Sequence, residues 1–187
     1  MGKEKKLVYV SENLVEEILR ISRKKGTFIS RFVEESLEQA IKLEDLGYSI
    51  EEAAEILEAI VSLRVLGGIF TPQEVFECLT ESSCRSHEEL LKKWFENGVL
   101  YGKYLRERFE NPLHKLKNFL ETVMWDLNEA ELKQEENIIK LRCVSSTRTA
   151  KSTEFLAKFI EGVVTGLGHH IKKIEHVKGL ILLEFTT

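Results

Sequence analysis

The sequence has few prolines and cysteines and no long apolar run. Only two prolines occur in 187 residues, and no glycine- or serine-rich linker or internal repeat is present, so we expect helical connections between domains. No stretch approaches the roughly 18 apolar residues of a membrane span, and the start lacks the apolar region of a signal peptide. Three cysteines, an odd number without a disulfide-framework spacing, suit a reducing compartment. The sequence therefore predicts a cytoplasmic protein with no membrane partner.

Motifs that carry catalysis or metal binding are also missing. The sequence has no phosphate-binding glycine loop, nucleophile elbow or paired-histidine metalloprotease motif. Cys78, Cys84 and His87 lie close together, but their spacing matches no closed zinc pattern. His169 and His170 are expected to be solvated imidazoles at a helix C-terminus rather than metal ligands. We therefore predict no enzymatic activity, no metal and no cofactor.

Charge is unevenly distributed along the chain. The formal net charge of −4 argues against a protein that coats nucleic acid by bulk electrostatics. Residues 1–46 contain nine basic and nine acidic side chains, residues 47–100 four and ten, and residues 101–187 fourteen and twelve. We therefore expect any DNA to contact the first 46 residues and to avoid the segment from Glu51 to Glu96.

The first 46 residues predict a strand followed by two short helices. Residues 7–10 favour a strand, and residues 11–26 a helix with a cationic, glycine-containing end. A second helix begins near residues 27–30 and ends near Gly47. Because this is too little chain to bury a core alone, we expect a second copy to complete it. The alternative is that the strand lies at the edge of a larger sheet.

The rest of the chain predicts several helices and then a ββαββ arrangement. Ser49, Thr71 and Ser86 each precede a glutamate by three residues, the pattern of a capping box at a helix start. We predict helices over about 87–110, 112–124 and 149–167, and strands over 130–133, 138–144, 171–177 and 180–185.

Glycines mark the positions where close packing is expected. Gly98 and Gly102 are four residues apart and allow another helix to approach closely. Gly162 suits close contact between a helix and a sheet. Gly168 is expected to end a helix, and Gly179 to form a tight turn.

A segment from roughly Lys5 to Leu43 carries a recognisable pattern. It consists of the strand, the helix start Ser11-Glu-Asn13, the turn Lys24-Lys-Gly-Thr27 and the run Ser30-Arg-Phe-Val-Glu-Glu-Ser-Leu37. This pattern resembles the ribbon-helix-helix family of transcriptional regulators. The resemblance implies a homodimer whose two strands pair as an antiparallel ribbon in the major groove of double-stranded DNA.

The resemblance also implies which side chains face the DNA. Lys5, Leu7 and Tyr9 would point outward to read base edges, and Val8 and Val10 would enter the core. The family has polar side chains at the reading positions, whereas Leu7 offers only an apolar contact, for example to a thymine methyl. The amides at the start of the second helix would bind a phosphate, assisted by Lys24, Lys25, Thr27, Ser30 and Arg31.

A second pattern lies near the C-terminus, in Phe159-Ile-Glu-Gly162-Val-Val-Thr-Gly-Leu-Gly168, Gly179 and Leu183-Glu-Phe185. It looks similar to the vinyl-4-reductase family, whose fold is shared by trafficking-complex subunits and haem-nitric-oxide sensor domains. The resemblance spans about residues 125–186, but the family's cysteines around the final hairpin are missing. It implies a small apolar organic ligand between helices and sheet, near Trp94, Tyr101, Phe155, Phe159 and Gly162. The alternative is that these aromatic residues only form the core.

These observations predict an α+β protein with two domains. Residues 1–46 form a ribbon-helix-helix domain, and residues 47–187 form a sensor-like domain with helices packed on a four-stranded antiparallel sheet. The expected function is a ligand-responsive transcriptional regulator that binds operator DNA as a homodimer. Leu7 and Tyr9 at the reading positions favour an alternative, a small-molecule-binding or assembly module that binds no DNA and uses its N-terminal segment only to dimerise.

Overall fold

The structure, a computed structural model, describes residues 7–80, 86–135 and 137–186. Within these residues the chain forms seven helices and one four-stranded antiparallel sheet, which confirms the predicted α+β class. The chain divides into two compact units, unit 1 (residues 1–66) and unit 2 (residues 67–187). This division falls after the third helix, beyond the predicted domain boundary at residue 46, because the third helix packs against the second. None of the described helices is long and apolar enough to cross a membrane.

Unit 1 contains three helices, α1 (Glu12–Lys25), α2 (Ile29–Asp45) and α3 (Ile50–Val65). Helix α1 ends at Gly26, whose φ of 65° is left-handed and therefore favours glycine. The predicted capping box at the start of α3 is present: Glu52 N donates to Ser49 Oγ, and Ser49 N donates to the Glu52 carboxylate. Both helices predicted for the first 46 residues are therefore confirmed.

Residues 7–10 do not form the predicted strand within a single chain. Leu7, Val8 and Tyr9 are 80%, 74% and 91% exposed, so Val8 does not enter a core here. A strand exists only where a neighbouring strand pairs its backbone groups, and the described part of unit 1 supplies none. The predicted ribbon therefore requires a second copy of the chain.

Unit 2 begins with helices and ends with the predicted ββαββ arrangement. Its elements are α4 (Gln73–Thr80), α5 (His87–Arg108), α6 (Pro112–Thr122), β1 (Glu129–Glu135), β2 (Ile138–Val144), α7 (Ala150–Leu167), β3 (His170–Val177) and β4 (Leu180–Thr186). The strand order in the sheet is β1-β2-β4-β3, and every neighbouring pair is antiparallel. The predicted capping box at Ser86 is present, whereas α4 begins only after Pro72, whose carbonyl accepts from Phe76 N.

Helix α7 is the central helix of unit 2. It packs against β3 and β4 and also against α5, and its apolar residues are buried along most of its length. A helix buried on several sides must be apolar around most of its circumference, as this one is. Thr149 caps its start by accepting from Ser152 N, and Gly168, with a φ of 90°, ends it as predicted.

Four glycines bring the backbones of α5 and α7 into direct contact. A Cβ atom at any of them would overlap a backbone carbonyl oxygen of the opposite helix; they are Gly98, Gly102, Gly162 and Gly166. The predicted approach of another helix at Gly98 and Gly102 is confirmed. The predicted contact of Gly162 with the sheet is wrong, because Gly162 faces the Phe95 carbonyl of α5 instead.

Replacement of one of these glycines tests the contact. We expect Gly162→Ala to lower the free energy of unfolding by about 2 kcal/mol, because its methyl group forces the two backbones apart. The higher helix propensity of alanine would by itself raise the free energy of unfolding by about 1 kcal/mol. The sign of the measured change therefore distinguishes the two effects. Urea unfolding followed by the fluorescence of Trp94 and Trp125, both in unit 2, measures the change.

Lys103→Ala is the control, since Lys103 is an exposed residue of α5 and its truncation to alanine adds no atom to the contact between the two helices. It should change the stability by less than about 0.5 kcal/mol. A Gly162→Ala protein as stable as the wild type would contradict the close contact.

Candidate functional site

The turn between α1 and α2 combines positive charge with an uncapped helix start. The last turn of α1 contains Arg23, Lys24 and Lys25, and the N-cap of α2 is Phe28, whose side chain makes no capping hydrogen bond. The first turn of α2 contains no acidic residue. Free amides at a helix N-terminus beside cations form a favourable environment for an anion.

The predicted DNA-contacting residues near this turn differ in their exposure and in their contacts with other side chains. Lys24 and Ser30 are exposed and Thr27 is half-buried, while Lys5 lies outside the described residues. Lys25 Nζ lies 5.2 Å from the centroid of the Phe32 ring. The Arg31 guanidinium pairs with Glu35 of the same helix, with Nε 2.8 Å from Oε1, and this hydrogen bond raises the pKa of Arg31. Among the predicted phosphate contacts, Arg31 is therefore the one whose positive charge is already paired with a carboxylate.

The described part of unit 1 has no buried hydrophobic core of its own. Among the described side chains of residues 7–66, Ser22 alone is buried, and its hydroxyl donates to the Leu19 carbonyl. The apolar faces of the helices stay largely exposed, including those formed by Leu14, Ile29, Leu37, Ile41, Leu57 and Val61. Amphipathic helices gain most of their stability from burial of such faces, and in the single chain this apolar surface stays exposed to solvent.

In unit 2, the aromatic residues predicted to line a pocket form one contiguous cluster. The Phe159 side chain, 1% exposed, lies at its centre, with the rings of Trp94 and Tyr101 at centroid distances of 6.1 and 6.0 Å. Trp94 also stacks on Phe155 at 6.1 Å. Gly162 does not line an open pocket beside this cluster, because the α5 backbone occupies the space next to its Cα atom.

Two further members of the cluster were not predicted. Phe70 and Phe119 pack against Phe159 at 5.8 and 6.0 Å, and they contact each other edge-to-face at 5.3 Å. Phe119 follows the buried Leu116 by three residues and precedes the buried Leu120 in α6. Helical periodicity could therefore have indicated that Phe119 faces inward. Phe70 lies before α4, outside any periodic element, and nothing local to it indicates this contact.

A polar network holds the loop that leads from β2 into α7. The Ser145 hydroxyl donates to the Asp126 carbonyl at 2.6 Å and accepts from Arg148 N at 3.3 Å. The Arg148 guanidinium binds the Asp126 carboxylate and donates to the Ser152 carbonyl at 2.9 Å. Because the charge of Arg148 is already neutralised by Asp126, we assign this network to the positioning of α7.

Among the described residues, the cysteines and histidines do not converge on a metal site. In the parts of the chain that the structure describes, no group of three or more His, Cys, Asp or Glu side chains is arranged to hold a metal ion. Cys78 is disulfide-bonded, Cys84 lies outside the described residues, and His87 Nε2 lies 2.9 Å from the Glu154 carboxylate. Cys143 is free and buried, and burial raises the pKa of its thiol to about 12.

The burial of Cys143 predicts an unreactive thiol. In a Cys78→Ser/Cys84→Ser variant, Cys143 is the single cysteine, and we expect no labelling by a disulfide reagent at pH 8, where the thiolate fraction is negligible. The same protein in urea should react completely, and circular dichroism verifies that the variant is folded. Rapid labelling of the folded variant would show that Cys143 is accessible and ionised.

In sequence comparisons, this chain matches no protein-family model and no curated protein. The resemblances to ribbon-helix-helix regulators and to the vinyl-4-reductase family therefore stay predictions from the residues quoted for them. The candidate positions that the geometry of this chain indicates are the basic turn of unit 1 and the aromatic cluster of unit 2.

Proposed function

We propose that the protein is a ligand-responsive transcriptional regulator that binds duplex DNA as a homodimer through its N-terminal unit. The observation that carries the proposal is the exposed apolar surface of unit 1 beside a basic turn. The ribbon-helix-helix resemblance of residues 5–43 explains both properties at once, because that fold is completed by a second copy and uses the turn to bind a phosphate.

Dimerisation would supply the core that unit 1 lacks. Pairing of residues 7–10 from two copies would satisfy their backbone groups and bury alternate side chains, Val8 and Val10, against the helices. Burial of each large apolar side chain contributes about 1.5–3 kcal/mol, so the faces of α1 and α2 together provide a substantial driving force.

DNA binding would use the opposite face of the same ribbon. With Val8 and Val10 inward, the alternation of side chains along a strand places Leu7 and Tyr9 outward. The exposed ammonium groups of Lys24 and Lys25 and the uncapped start of α2 would contact the phosphate backbone beside the ribbon. The acidic segment after residue 47 would lie away from the DNA.

Unit 2 would supply the response to a ligand. It has a complete core and, in the resemblance to the vinyl-4-reductase family, a sensor-like fold. If two arrangements of the dimer differ in their affinity for DNA, a ligand that binds one of them more tightly changes the affinity of the protein for DNA. By linkage, DNA then changes the affinity of the protein for the ligand by the same factor.

One observation favours a second function, a dimeric small-molecule-binding module that does not bind DNA. Leu7 and Tyr9 offer few hydrogen-bond donors to base edges, and Arg31 is paired with Glu35 within α2. In that case the N-terminal segment would serve only to hold two copies of unit 2 together.

The first test concerns the oligomeric state. Light scattering after gel filtration should give twice the chain mass, and Val8→Asp should weaken the dimer at least tenfold, because it places a charge in the shared core. Leu100→Asp is the matched control, an exposed leucine of α5 in unit 2, and should leave the dimer intact. A stable wild-type monomer would contradict the proposal.

The second test concerns DNA. Fluorescence anisotropy with a labelled 30-base-pair duplex should show binding at 50 mM salt that Lys24→Ala/Lys25→Ala weakens at least tenfold. Loss of two phosphate contacts should also reduce the salt slope of log K by about 2. The equally charged variant Lys172→Ala/Lys173→Ala, in β3 of unit 2, should bind as the wild type does. Absence of wild-type binding at low salt would favour the second function.

A further inference from the structure

A shallow groove of about 330 Å³, wide open to solvent, lies between the C-terminal half of α5 and the facing side of α6. The lining residues recur at helical spacing, so each helix turns one stripe of side chains toward the groove. The residues that matter for its chemistry are Tyr101, Tyr104, Phe109, Lys115, Asn118 and Phe119.

Aromatic rings form one wall of the groove. The rings of Tyr101 and Tyr104 stack with centroids 6.3 Å apart, and Tyr101 contacts Phe119 at 4.7 Å. Phe109 meets Tyr104 edge-to-face at 6.1 Å. Tyr104 is half exposed, so its ring still offers a face to a ligand, while Phe119 is anchored in the core against Phe159. This wall is suited to a flat ring.

Polar groups lie beside the aromatic wall. Lys115 Nζ lies 4.8 Å from the centroid of the Phe109 ring, and no carboxylate in the described part of the chain pairs with it. Asn118, one helical turn further along α6, is exposed and offers amide donors. Burial, with a smaller contribution from Tyr104, raises the pKa of Tyr101 to about 12, so its hydroxyl stays a neutral donor at physiological pH.

We propose that this groove binds an aromatic carboxylate, with the ring of the ligand on Tyr104 and its carboxylate on the ammonium group of Lys115. A cation without a carboxylate partner, at the edge of an aromatic wall, matches an anion attached to a flat ring better than a neutral hydrocarbon, which would offer Lys115 no opposite charge. A free phosphate would not use the rings. The site differs from the predicted pocket around Phe159 and shares only Tyr101 with it.

The inference rests on the sensor part of the proposed function, but it can be tested without DNA. Isothermal titration of the full chain uses two matched probes, 2-naphthoate and the neutral alcohol 2-naphthalenemethanol. We expect 2-naphthoate to bind at least tenfold more tightly than the alcohol. Lys115→Met should remove this difference and leave binding of the alcohol unchanged, and Tyr104→Ala should weaken binding of both probes.

Lys117→Met is the control, because Lys117 lies on the same helix, pairs with Glu121 and does not line the groove. It should retain the preference for 2-naphthoate. The inference is overturned by equal affinities for the two probes, by no saturable binding of either, or by an equal loss in Lys117→Met. Tryptophan fluorescence in urea verifies that each variant is folded.

The outcomes separate this inference from the proposed function. DNA binding without binding of 2-naphthoate refutes the groove alone. Binding of 2-naphthoate without DNA binding retains the groove and refutes the regulator. If both are bound, titration of 2-naphthoate into the protein–DNA complex measures the coupling between them.

Discussion

The contact between the backbones of α5 and α7 is the constraint on which unit 2 depends. Glycines on both helices remove the side chains that would otherwise keep the two axes apart, and the facing carbonyl groups occupy the space that Cβ atoms would fill. This close crossing places Trp94 and Tyr101 of α5 directly over Phe159 of α7. Any larger residue at the crossing would displace α5 and, with it, the aromatic cluster and one wall of the groove.

The two units differ in what their sequences can bury. Unit 2 places apolar residues from α5, α6, α7 and the sheet around one core, and the most central of them, such as Leu116, Ile160 and Phe185, have no measurable exposure. Unit 1 distributes its apolar residues over three short helices and a segment without a partner strand. Under the proposed function its folding is therefore linked to association, and its apparent stability rises with protein concentration.

Tyr101 connects the core of unit 2 to its surface. Its ring packs against Phe159 and Phe119 on the buried side and against Tyr104 on the exposed side. A ligand on Tyr104 would therefore contact a residue that is packed against the centre of the core. Packed interiors adapt little to small displacements. A ligand that displaces Tyr104 or Tyr101 would therefore also shift α5, the helix to which both belong.

The amino-acid sequence by itself determined the elements that depend on neighbouring residues. The period of apolar residues located the helices and strands, Ser49 and Ser86 marked helix starts, Gly168 marked a helix end, and Gly98 and Gly102 indicated close approach of a helix. The tertiary structure alone decided which distant segments meet: Gly162 faces α5 rather than the sheet, Phe70 joins the aromatic cluster, and Arg148 pairs with Asp126. Local propensity acts over a few residues, whereas these contacts join segments far apart in the chain. Residues 7–10 show the same limit, since a strand-forming sequence becomes a strand only when another strand pairs with it.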